Sequence, residues 1–156
     1  MRHQSNVRAR SVAHSNFVIE RSFAAPVERV FATWSNPEKK RRWFACHDDW
    51  VAVDYQLDFR EGGREVNVVG ERDGTLHAFT GYFLDIVENA RIVYAYEMSV
   101  GGARISASLV TVVFATAAGR TTMTFTEQVV FLGGDAQVEE RREGTELGLA
   151  RIDAEL

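Results

Sequence analysis

Glu127 is the residue of this sequence whose position most needs a chemical explanation. It lies in Thr124-Phe125-Thr126-Glu127-Gln128-Val129, and period-two alternation puts it on the strand face shared by Met123 and Phe125. A carboxylate on an apolar face has to be paired or hydrogen-bonded, and Tyr94, Tyr96, Arg104 and Gln128 are the groups able to serve it. Three roles fit such a residue: the centre of a structural hydrogen-bond network, the polar anchor of a binding cavity, or a general acid/base. Other chemistry-bearing residues point less clearly. Cys46-His47-Asp48-Asp49 bunches metal-ligand and nucleophile types, but consecutive residues make a poor ligand set and no second His/Cys pair follows at zinc spacing. The run is read as a polar loop, and no metal is expected. Lys39-Lys40-Arg41-Arg42 is a basic run on a predicted helix and reads as a solvated face. Gly62-Gly63, Gly101-Gly102 and Gly133-Gly134 have no phosphate-loop context and read as turns. With no dinucleotide fingerprint, no Gly-x-Ser-x-Gly and no paired catalytic carboxylates, no cofactor is expected and no particular catalysis is indicated.

The elements that must position Glu127 follow from hydrophobic periodicity. Phe17 to Phe23 reads as a strand. Pro26 opens a short helix carrying Val27, Val30, Phe31 and Trp34, and Glu38 to Phe44 forms a second one presenting Trp43 and Phe44. Six strands then follow, joined by turns: Trp50 to Arg60, with Val51, Val53, Tyr55, Leu57 and Phe59 on one side, then Arg64 to Arg72, Thr75 to Val87, Arg91 to Val100, Arg104 to Ala115 and Thr121 to Leu132. Gly81 inside the third of these predicts a bulge or a close approach. The last segment is one helix from near Asp135, with Val138, Thr145, Leu149, Ile152 and Leu156 along a single stripe. Gly144 and Gly148 on that helix cost about 1 kcal/mol each relative to alanine. Small helix residues opposite large ones on the sheet (Ile92, Tyr94, Tyr96, Met98, Val110, Val112, Phe114, Met123 and Phe125) are explained by complementary packing or by the mouth of a pocket.

Composition excludes several classes. The chain has 156 residues and a formal net charge of −4, which argues against nucleic acid as the main partner. Cys46 is the only cysteine, so no internal disulfide forms. Residues 1–16 are polar, with neither an apolar core nor a cleavage site, and read as a disordered tail before one domain over 17–156. No stretch approaches the roughly 20 apolar residues of a membrane span, and a cytoplasmic location is expected.

Several motifs together carry a resemblance. Arg21-Ser22-Phe23-Ala24-Ala25-Pro26-Val27-Glu28-Arg29-Val30-Phe31, with Trp34, Pro37 and Trp43, resembles the opening of the SRPBCC superfamily, which takes in START, Bet v 1 and polyketide-cyclase-like proteins. Asp58 to Gly63, Asp73-Gly74, Gly81-Tyr82-Phe83 and Arg91-Ile92-Val93-Tyr94 resemble the branch related to the C-terminal domain of the activator of heat-shock protein 90 ATPase. Thr126-Glu127-Gln128, Phe131 to Gly134 and Arg142-Glu143-Gly144 are similar to a bacterial subgroup of that branch. The resemblance implies an α+β helix-grip fold: a curved seven-stranded antiparallel sheet around a long C-terminal helix, with two short helices after strand 1. It also implies a cavity for a hydrophobic small molecule, and a homodimer in many members. The expected lining is Trp43, Tyr94, Tyr96, Met98, Phe114, Met123, Phe125 and Leu149, with Glu127 as the polar group. Hydrophobic ligand binding is the leading expectation. A polyketide cyclase or dehydratase-like enzyme using Glu127, and a co-chaperone-like interaction module, are the alternatives.

Overall fold

The computed structural model describes residues 11–45, 49–134 and 137–156. Seven strands, β1 (Val12–Phe23), β2 (Val51–Leu57), β3 (Arg64–Gly70), β4 (Leu76–Val87), β5 (Arg91–Val100), β6 (Ala103–Ala117) and β7 (Arg120–Leu132), form one antiparallel sheet in the order β1-β7-β6-β5-β4-β3-β2. Helices α1 (Val27–Ser35) and α2 (Pro37–Phe44) follow β1, and α3 (Val138–Ala150) closes the chain with a 3-10 turn over Arg151–Glu155. This is the expected helix-grip architecture. Consecutive hairpins build β2 to β7 in sequence order, and β1 closes the sheet against β7.

Local chemistry explains the helix ends. Asn36 separates α1 from α2, and its side-chain oxygen accepts from the Glu38 and Lys39 amides at 3.0 and 3.2 Å, with Pro37 at the first helical position. Helix α3 is fixed to the core at its C-terminal end, where Leu149 and Ile152 are buried. Arg42 Nε to Glu155 (2.7 Å) and Arg21 to Asp153 (3.5 Å) tie the 3-10 turn to α2 and β1. Val138 and Leu156 pack partly against the same core, so the predicted stripe is found, but the α-helix itself is shorter than one beginning at Asp135 and running to the end. Asp135 lies outside the described residues.

Two boundaries differ from the sequence reading. Strand β1 begins at Val12 rather than Phe17, because Val12 to Asn16 pair in register with Leu132 to Gln128 of β7. That part of the expected tail is therefore sheet, and residues 1–10 lie outside the described residues. In β2 the register shifts between Ala52 and Asp54, so Val53 is bulged, and Val51 and Val53 are 65% and 55% exposed. They do not share a buried face with Tyr55 and Leu57. Gly81 is not the bulge in β4; the shift falls between Phe83 and Asp85. A Cβ at Gly81 would lie 2.9 Å from the Phe79 ring, so the close approach is the part of that expectation that holds.

Candidate functional site

Between the sheet and α3 lies a cavity of about 550 Å³. The inner faces of β3 to β7 supply its floor, α1 and α2 supply Trp34, Trp43 and Phe44 at one end, and α3 supplies Gln137, Glu140, Arg141, Gly144, Thr145, Gly148 and Leu149. Of the expected lining residues, Trp43, Tyr94, Tyr96, Met98, Phe125, Glu127 and Leu149 border this space. Phe114 and Met123 do not. Both lie on the predicted face but further along their strands, in the solid part of the core, where Phe114 meets Phe31 edge-on at 5.5 Å and Met123 is fully buried.

Helix α3 presents two glycines to the cavity. A Cβ built on Gly144 or Gly148 would meet nothing within 4 Å. Neither glycine has a positive φ, so neither is required by the backbone. Both border the cavity, Gly148 partly buried and Gly144 exposed. The β5–β6 register also shifts: Met98 faces Ser106 and Ser99 faces Arg104, which leaves Ile105 bulged and bordering the cavity.

One end of the cavity is polar. The inner row of β6 changes from Val110 and Val112 to Ser108 and Ser106, and this end receives Glu127. Glu127 is 1% exposed and is held by three donors that converge on its Oε2: Tyr96 Oη at 2.6 Å, Ser108 Oγ at 2.8 Å and Arg141 at 3.2 Å. Arg141 also donates to Tyr96 Oη (2.9 Å) and Ser106 Oγ (2.7 Å), and its guanidinium lies over the Phe131 ring at 5.4 Å. Burial, reinforced by the Glu127 charge, pushes the Tyr96 phenol above its usual range. Tyr96 is therefore a neutral donor to Glu127 at any physiological pH. Tyr96 is the expected partner that appears here; Arg104 instead pairs with Glu97 at 3.2 Å. Arg141 and the two serines were not foreseen.

A second buried charge cluster lies behind the aromatic end. Lys40, 1% exposed, donates to both oxygens of Glu65 at 2.9 Å, and Tyr55 Oη donates to Glu65 Oε2 at 2.7 Å. The Lys40 ammonium stands 4.9, 5.1 and 4.3 Å from the ring centroids of Trp34, Trp43 and Phe44. This overturns the reading of residues 39–42 as a uniformly solvated face. Desolvation lowers the Lys40 pKa, opposed by the attraction of Glu65. Cys46, His47 and Asp48 lie outside the described residues. Among the described residues no group of three or more His, Cys, Asp or Glu could hold a metal ion, and no helix is long and apolar enough to cross a membrane.

A curved sheet gripping a C-terminal helix, with a cavity between them, is an arrangement that known proteins share. The family model described as activator of Hsp90 ATPase homolog 1-like protein matches residues 24–156. The chain belongs to this family. Among solved structures, a protein from Rhizobium leguminosarum is 56% identical, with a TM-score of 0.88 over 93% of this chain and 95% of its own. Mll3558 from Rhizobium loti is 37% identical, with a TM-score of 0.87 over 94% and 99%. CalU16 from Micromonospora echinospora, at 17% identity and a TM-score of 0.62 over 94% and 83%, is similar in fold alone. Among curated proteins no sequence matches this chain. Membership of the activator-like family accounts for the fold, and the function has to be argued from the cavity.

Proposed function

We propose that this protein binds an apolar small molecule in the cavity between its sheet and α3. The observation that carries the reading is the space opposite Gly144 and Gly148, bordered by aromatic side chains and closed at one end by the Glu127–Arg141 pair. A filled core would place a large side chain there, since interiors pack to near-crystalline density and voids are costly. A volume of about 550 Å³ falls within the range typical of small-molecule sites. The catalytic alternative is less favoured, because Glu127 Oε2 is already occupied by three hydrogen-bond donors, the arrangement of a fixed structural anchor.

The test is saturable binding of the neutral dye Nile red. Gly148→Leu, which projects a side chain into the empty space, is expected to weaken binding by about tenfold or more while the circular dichroism spectrum is unchanged. Equal affinity in the variant, or no saturable binding to the folded wild type, would refute the proposal.

A further inference from the structure

Three features of the cavity limit what it accepts. At the aromatic end, Trp34, Trp43 and Phe44 are already engaged by the Lys40 ammonium. A ligand cation stacked on this wall would bring a second positive charge close to the first in a desolvated region. At the polar end the Arg141 charge is met by Glu127, and an anionic head group approaching the guanidinium would also approach that carboxylate. Among the described residues, the charged ones bordering the cavity are balanced in sign, Glu127 and Glu140 against Arg141 and Arg151, so they offer a ligand no net charge.

The third feature is Tyr94. It is 6% exposed and borders the cavity, flanked by the rings of Trp34 at 6.5 Å and Tyr96 at 6.2 Å. No described residue hydrogen-bonds its hydroxyl, and the oxygen is not among the atoms sealed inside the protein without a partner. It therefore opens on the cavity. The contrast with its neighbours is clear: Tyr96 is committed to Glu127, and the Trp34 indole Nε1, also without a partner, is sealed by protein atoms. Burial first, and then the Tyr96, Glu127 and Glu65 charges, raise the Tyr94 pKa well above its ordinary value, so it stays a hydrogen-bond donor. A buried hydroxyl left unmatched is unfavourable, and an acceptor on a ligand would satisfy it.

From these features we infer that the ligand is an uncharged, apolar molecule carrying a carbonyl-type oxygen that accepts a hydrogen bond from Tyr94. This rests on the binding reading above and narrows it to one chemical class.

The experiment compares four naphthalene probes of one size by isothermal titration: 2-acetylnaphthalene, 2-naphthoate, 2-naphthylmethylammonium and 2-ethylnaphthalene. The ketone is expected to bind about tenfold or more tightly than either ion. Tyr94→Phe is expected to weaken the ketone about three- to tenfold and to leave 2-ethylnaphthalene unchanged, which shows that the cavity is intact. An ion binding as tightly as the ketone would overturn the inference and leave the cavity reading standing, as would a ketone affinity indifferent to Tyr94→Phe. If none of the four binds the folded protein, the cavity reading falls with it.

Discussion

Lys40 shows how strongly one side chain can depend on its partners. Its ammonium is bound to both oxygens of Glu65 and surrounded by three aromatic rings. Removing one partner of a buried pair leaves the other charge desolvated and unmatched, at a cost of about 3–5 kcal/mol. Lys40→Met is accordingly expected to lower unfolding stability by that amount in urea titrations, and the double variant Lys40→Met with Glu65→Gln to recover about half of it. A loss below about 1 kcal/mol in the single variant would mean that the pair is not buried as described. The sequence hides this residue, because one lysine within Lys39-Lys40-Arg41-Arg42 carries no mark of which way it faces. Arg141 is hidden for the same reason, being one charge among the many of residues 139–143. Glu127 was legible because an acid between Phe125 and Val129 breaks an otherwise apolar alternation.

At the scale of elements, α3 gives up intrinsic helix stability for space. Gly144 and Gly148 each cost about 1 kcal/mol relative to alanine, and no neighbour lies close enough to require them. Gly144→Ala is expected to stabilise the fold by roughly that amount, a rise in melting temperature of about 2–4 °C for a chain of this size. A fall in melting temperature would mean that a contact closes over that position. The strands were legible through alternation, and β5 matches its predicted limits residue for residue. Depth along a strand was not legible: Phe114 and Phe125 share a face, but only Phe125 reaches the cavity. Alternation specifies a side of the sheet, whereas the crossing point of α3 decides which residues on that side are covered. The early start of β1 was missed because His14, Ser15 and Asn16 have low strand preference and are ordered by pairing with β7.

For the whole molecule, the buried phenols set the alkaline limit. Tyr55, Tyr94 and Tyr96 have pKa values raised above the ordinary 10.0, chiefly by burial. In the unfolded chain they ionise near that value, while in the folded protein they stay protonated. Their contribution is fully present below pH 10.0 and is lost as pH climbs from there toward the raised folded values. Lys40, lowered from 10.5, acts in the opposite sense: stability rises with pH between its folded value and 10.5, and the contribution is flat above. Above about pH 10.5 only the tyrosine effect changes, so the melting temperature is expected to fall there, and to fall less steeply in Tyr55→Phe. A melting temperature constant between about pH 10.5 and 11.5 would contradict the assignment.

The pairing of β1 with β7 joins residues roughly a hundred positions apart in the chain, Phe23 with Thr121 at the near end and Val12 with Leu132 at the far end. The hairpins from β2 to β7 can zip up locally, but this last pairing closes a loop that contains nearly all the others. Because that closure is long-range, folding is expected to lie on the slow side of the range for a domain of this size. Before that pairing forms, the outer edge of β7 would be an unpaired strand edge next to Glu127, and chains at that stage would be open to association with one another.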